Sequence, residues 1–207
     1  MKKLLIFLFS LFFICSPSVF ADDISKFEIE GVSIGDSLLD YMTEEEILTE
    51  IKINKDRFLH LKEPYKYVQV SLIKESRIYD SLVIVVKNNS LNQFITNSDE
   101  KFKILYIGGN ITFIENVDGC KQKQDEVEGV LSGMFPNTKI SKNIGYKNPS
   151  DPSGESIVDA IEYKFSSGDE IELQCKNHEE TFRIKKNWVE GLTIGIFSKE
   201  IIKWLSN

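Results

Sequence analysis

IVDAIEYKFSSGDEIELQC, residues Ile157–Cys175, is the stretch on which the fold turns. Ile157–Phe165 and Glu170–Cys175 read as strands, and Ser166–Ser167–Gly168 between them as a turn too short for anything but an antiparallel pair. In the second strand Ile171, Leu173 and Cys175 alternate with Glu170, Glu172 and Gln174. Period two with one apolar side predicts a half-buried strand, and a sheet with one face on a core.

Working outward, Leu192–Phe197 reads as a further strand leading into a closing helix, with Ser198 as N-cap and Ile201, Ile202, Trp204 and Leu205 apolar. Upstream, Thr138–Tyr146 is strand-like, and Asn148–Gly154, with two prolines, is the strongest loop signal in the chain. Asp118–Phe135 carries Val127, Val130, Leu131 and Met134 at helical spacing and is followed by Pro136.

The first half follows a similar plan. Phe27–Glu30 alternates as a short edge strand, and Leu38, Leu39 and Met42 suggest one helical turn. Thr43 with Glu46 forms a capping box, opening a helix with Ile47, Leu48 and Ile51 on its apolar face. Val68–Leu72 alternates. Leu82–Val86 is continuously apolar, which predicts a central strand covered on both faces, and the most buried one. Asn88–Lys101 is polar and reads as an exposed loop. Phe102–Ile107 and Ile111–Ile114 flank Gly108–Gly109–Asn110 and read as a hairpin. The sum is an α+β domain over 22–207: a mainly antiparallel, twisted sheet of about seven to nine strands with three packed helices.

Residues 1–21 read as a cleaved signal peptide: Lys2 and Lys3, an apolar run from Leu4 to Ile14, and a cut after Ala21. The run is shorter than the roughly 20 residues a bilayer requires, and no later stretch qualifies, so no transmembrane segment is expected after cleavage. The expected location is periplasmic or secreted. The chain has 25 Lys+Arg against 32 Asp+Glu, net −7, and removing Lys2 and Lys3 takes this to −9. Such an acidic balance argues against a nucleic-acid partner.

The search for chemistry yields little. His60 and His178 are the two histidines, and neither has a His or Cys neighbour at zinc spacing. There is no Gly-x-Ser-x-Gly elbow and no phosphate-gripping glycine loop, and the Ser-x-x-Lys pairs Ser71–Lys74 and Ser98–Lys101 are as frequent as chance allows. Asn148, Ser150, Asp151, Ser153 and Glu155 offer oxygens but lack EF-hand spacing, and read as a plain turn. Tyr65, Tyr67, Tyr79, Tyr106, Tyr146 and Trp188 line a ligand groove in one reading and fill a sheet in the other. No catalytic, cofactor-binding or metal-binding residue, and no cofactor, is nominated.

Cys120 and Cys175 are the cysteines left after signal removal, and export makes them a disulfide pair. Cys120 shares a helix face with Val127 and Leu131, and Cys175 shares a strand face with Ile171 and Leu173, so both point at the core.

The stretch Phe27–Tyr41 followed by Glu45–Glu46–Ile47, the helix start at Cys120, the Asp151–Ser156 segment and the late Cys175 together resemble a family of small exported proteins from marine, AT-rich bacteria. That family has no established activity, so the resemblance implies no site residue. A looser similarity, through an Ile-x-x-Gly segment before a short helix, is to outer-membrane assembly lipoproteins of the BamE and SmpA type. This chain lacks their lipobox and is longer.

The expectation is a non-enzymatic periplasmic or envelope protein that binds a macromolecular partner. A small-molecule-binding protein using the concave face of its sheet is the alternative, and a hydrolase with a non-standard site the third reading.

Overall fold

The computed structural model describes residues 24–72, 78–88 and 101–206. The stretch 1–21 read as a signal peptide, most of the Asn88–Lys101 segment read as a loop and parts of both Ser-x-x-Lys pairs lie outside the described residues.

Among the described residues, seven antiparallel strands form one sheet: β1 (Tyr67–Leu72), β2 (Ser81–Lys87), β3 (Ile104–Thr112), β4 (Lys139–Lys147), β5 (Ile157–Lys164), β6 (Glu170–Asn177) and β7 (Gly191–Phe197). Their spatial order is β1-β2-β3-β7-β6-β5-β4. The chain lays down one meander, crosses the sheet by a helix, and lays down a second meander from the far edge inward. The last strand, β7, closes against β3 and joins the two halves.

Four α-helices among the described residues accompany the sheet: α1 (Glu44–Asn54), α2 (Val117–Met134), α3 (Glu180–Lys186) and α4 (Lys199–Leu205). The capping box of α1 forms as the sequence predicts: Glu46 Oε2 accepts from the Thr43 amide at 2.8 Å, and Thr43 Oγ1 accepts from the Glu46 amide. Its buried face is Ile47 and Ile51, whereas Leu48 is exposed. On α2 the inward face is Cys120, Gln124 and Leu131, with Val127 half-buried, while Val130 and Met134 face outward. A glutamine in a core needs partners, and Gln124 Nε2 donates to the carbonyls of Asp159 and Leu173 at 2.9 and 3.1 Å.

The main core lies between this helical layer and one face of the sheet. Alternate residues of every central strand supply it: Leu82, Ile84 and Val86 from β2, Leu192, Ile194 and Ile196 from β7, Ile171, Leu173 and Cys175 from β6. Cys120 and Cys175 are bonded, with Cα atoms 5.9 Å apart, and tie α2 to β6. Lys121 reinforces the seam by an ion pair to Asp159 on β5 at 2.9 Å.

Two sequence readings are corrected. Gly108–Gly109–Asn110 is no hairpin turn: β3 runs straight through it, paired with β2 and β7 on either side. Its glycines are extended, and their missing side chains admit rings. A Cβ on Gly108 would lie 2.9 Å from Tyr106 Cζ, and one on Gly109 would lie 2.6 Å from Tyr79 Cε1. Phe27–Glu30 is no strand; it contributes one isolated bridge, Ile29 to Val32, around Glu30 and Gly31, both at positive φ. The sequence pattern gave no sign of helix α3, because Phe182 is its one buried side chain. Leu82–Val86 is covered on both faces as its continuous apolar run predicts: β2 is paired with β1 and β3, Leu82, Ile84 and Val86 enter the main core, and Val85 enters a second, smaller cluster on the opposite face with Tyr67, Leu105, Ile201 and Trp204. The middle of the sheet, with the fuller burial, belongs to β7.

Candidate functional site

Among the described residues, the face of the sheet turned away from α1 and α2 is covered only at its ends. At one end α4 lays Ile201 and Trp204 against Tyr67, Val85 and Leu105. Phe58 and Tyr67 each meet the Trp204 ring with centroids 4.8 Å apart, and the indole N–H donates to the Glu63 carbonyl at 3.1 Å. At the other end stands α3. Glu179 caps it, accepting from the Thr181 and Phe182 amides at 2.9 and 2.7 Å, and Asn187 ends it in the left-handed region. Trp188 follows and packs on Phe182 and His178, with both centroid distances 5.0 Å. An ion pair from Arg183 Nε to buried Glu190 at 3.3 Å anchors this end to the start of β7.

Between the two ends runs a groove of about 490 Å³. Its floor is a ladder of polar side chains reaching across four strands. Lys176 Nζ on β6 donates to Thr193 Oγ1 on β7 at 3.1 Å. The Thr193 hydroxyl donates to Asn110 Oδ1 on β3 at 2.8 Å, and Asn110 Nδ2 donates to Ser81 Oγ on β2 at 3.1 Å. Gln69 and Gln174 extend the polar lining, and Tyr146, Trp188 and Tyr106 supply its aromatic surface.

The charge of this lining is one-sided. Arg57 and Lys176 are its basic side chains and, among the described residues, no carboxylate belongs to the wall, in a chain of net charge −7. Burial pulls the Lys176 ammonium below its ordinary pKa, with Glu172 opposing. Anion binding beside it would relieve that penalty, because a desolvated cation gains most from a partner charge. His178, also in the wall, is 7% exposed, and its Nδ1 has no hydrogen-bond partner. Burial first, then Lys176, holds its imidazole below the usual pKa, so the neutral ring is favoured. A buried ring nitrogen without a partner is an unmet bonding capacity in the wall of a cavity.

One wall of the groove is Asn148 and Pro149. That loop is built around Asp151, whose Oδ1 accepts from the Ser153 amide at 2.9 Å and whose Oδ2 accepts from the Ser156 amide at 2.9 Å; the Ser153 hydroxyl adds to both. These donors hold the Asp151 carboxyl far below the usual carboxylate range. Both oxygens serve the turn, as its Pro-Ser-Gly composition implied. Ser156 Oγ then accepts from the Glu179 amide at 2.9 Å, joining the loop to α3.

Of the aromatic residues singled out in the sequence, Tyr106, Tyr146 and Trp188 meet in the groove. Tyr67 belongs to the cluster beneath α4, Tyr79 lies over Gly109, and Tyr65 is exposed. His60 is exposed and is not part of this lining, whereas His178 joins it. Sequence reasoning passed over Arg57, Gln69, Asn110, Lys176 and Thr193. The one available signal was the polar half of the β6 alternation, Gln174 and Lys176. Among the described residues, no three His, Cys, Asp or Glu side chains come together in a metal-binding arrangement. No helix among them is long and apolar enough to cross a membrane.

No protein-family model, no curated protein and no solved structure matches this chain.

Proposed function

We propose that this chain is a non-enzymatic binding protein whose ligand is a small molecule held in the groove across the open face of the sheet. The observation that carries this reading is the groove itself: about 490 Å³, floored by a hydrogen-bonded polar ladder and cationic in an acidic chain. That volume falls within the roughly 300–1,000 Å³ typical of small-molecule sites. A flat, dry patch would have favoured the macromolecular partner expected from the sequence. The disulfide supports an oxidising location, periplasmic or secreted.

The test is a melting-temperature screen of the mature chain against anionic and neutral metabolites, repeated on Lys176→Gln. A ligand at 100 times its Kd adds about 2.7 kcal/mol to stability, a readily measured shift. Anionic hits that weaken in the variant support the reading. A screen without hits, alongside capture of a defined envelope protein by the same chain, would return the macromolecular reading to first place.

The hydrolase reading has one observation in its favour. Glu162 and Glu172 stand opposite each other on β5 and β6, and their titrations are pushed apart. Lys164 and Ser141 lower Glu162, and burial raises Glu172. Neither carboxylate lines the groove.

A further inference from the structure

The groove does not end at its polar floor. Beside it lies an apolar cavity of about 150 Å³ beneath α4, walled by Phe58, Val85, Phe197, Ile201, Trp204 and Leu205. Gln69 and Tyr106 line both spaces. Tyr106 occupies the room above Gly108 and Gly195, where any larger residue would collide with its ring or with Phe197. The floor between the two spaces is therefore one ring lying over two glycines. No charged residue lines the apolar part, and the polar part carries Lys176, Arg57 and the unpartnered Nδ1 of His178.

We propose that the ligand is a free, single-chain amphiphilic carboxylate, its head at Lys176 and His178 and its alkyl tail in the cavity beneath α4. The inference rests on the binding-groove reading and adds the chemical class. Charge complementarity selects the head: a cationic wall without carboxylates rejects a second cation and favours an anion. Burial selects the tail, since the adjoining walls offer side-chain carbon and no ionised group, and transfer of each methylene out of water strengthens binding about fourfold.

The chain's two tryptophans fall one at each end of the proposed site, Trp188 by the head and Trp204 by the tail. The experiment titrates the mature, disulfide-bonded chain with butyrate, hexanoate, octanoate and decanoate below their micellar concentrations. Decanol, glucuronate and phosphatidylglycerol vesicles are run beside them. Expected are a rise of about fourfold per methylene until the cavity is full, and weaker binding of both decanol and glucuronate than of decanoate. In Trp188→Phe, 10-bromodecanoate should quench the remaining indole, Trp204. Lys176→Gln should lower decanoate affinity about tenfold while sparing decanol. Leu205→Asp, at an exposed rim position, should weaken decanoate without lowering the melting temperature, so that loss of binding is not loss of fold. Tight glucuronate binding with no dependence on chain length would overturn the amphiphile and leave the binding groove standing. Binding to vesicles alone would overturn the free single-chain ligand. No response to these probes or to the metabolite screen would overturn both.

Discussion

The two faces of the sheet are made by the same seven strands and differ in nearly everything else. On the helical face Leu192, Ile194 and Ile196 of β7 sit at 2% exposure or less, packed under α1, α2 and the N-terminal segment. On the other face their immediate neighbours are Thr193, Gly195 and Phe197, which are a ladder hydroxyl, a seat for an aromatic ring and a wall of the apolar cavity. One residue's step along the chain thus separates stability from recognition. The helical face accounts for why the protein folds, and the open face for what it can hold.

The comparison breaks most visibly at the disulfide, which belongs wholly to the helical face. Cys175→Ser should cost on the order of 4 kcal/mol for a closed loop of this size, roughly ten degrees of melting temperature, read by thermal denaturation with and without reductant. Gln174 and Lys176 flank Cys175 and point the other way, so protein that remains folded at low temperature should still bind ligand. Loss of binding at full folding would show that the bond shapes the groove as well.

Adjacent residues of β7 give the sharper version. Ile194→Ala removes a buried branched side chain and should cost about 3 kcal/mol, with ligand affinity unchanged in the folded fraction. Thr193→Val keeps the volume, leaves Lys176 and Asn110 without their shared hydroxyl, and should cost about 1 kcal/mol. Its effect on affinity should be the larger of the two. Equal effects of both substitutions on both readouts would erase the distinction between the faces.

Acid tests the groove end at His178. Its imidazole is held below its unfolded pKa, so the stability it confers is complete above the ordinary value of about 6.5 and is lost as pH falls below it. Lys176 and Arg183 face it with like charge and Asp151 with opposite charge. Wild type should therefore lose more melting temperature between pH 7 and pH 5 than His178→Asn, measured as a difference because Glu170 and Glu172, raised by burial, act with the opposite sign. The smallest effect concerns Glu172 itself. Glu172→Gln removes a charge that burial penalises at neutral pH and keeps an acceptor for Gln174, so stability at pH 7 should rise slightly.

What the sequence made legible follows the same division. Alternation at Ile171, Leu173 and Cys175 and the Thr43–Glu46 box are local patterns whose physics is local, and both stand in the structure. The fate of Gly108 and Gly109 depends on two tyrosine rings laid over them, which no dipeptide preference encodes, so they read as a turn. The ladder is further from view. Lys176, Thr193, Asn110 and Ser81 come from four strands spread over much of the chain, and each alone is an ordinary polar residue on the wet side of a sheet. His178 looked unremarkable because nothing in its neighbours announced that it would be buried without a partner.

The measurement that bears most directly on the open face as a binding groove is amide and side-chain NMR of the mature chain titrated with decanoate. The account predicts shifts at Gln69, Tyr106, Asn110, Lys176, His178, Thr193 and both indoles, with the helical face silent at Ile194 and Leu131. Shifts centred on the exposed β4 edge or on the helical layer, with the ladder residues unmoved, would contradict it.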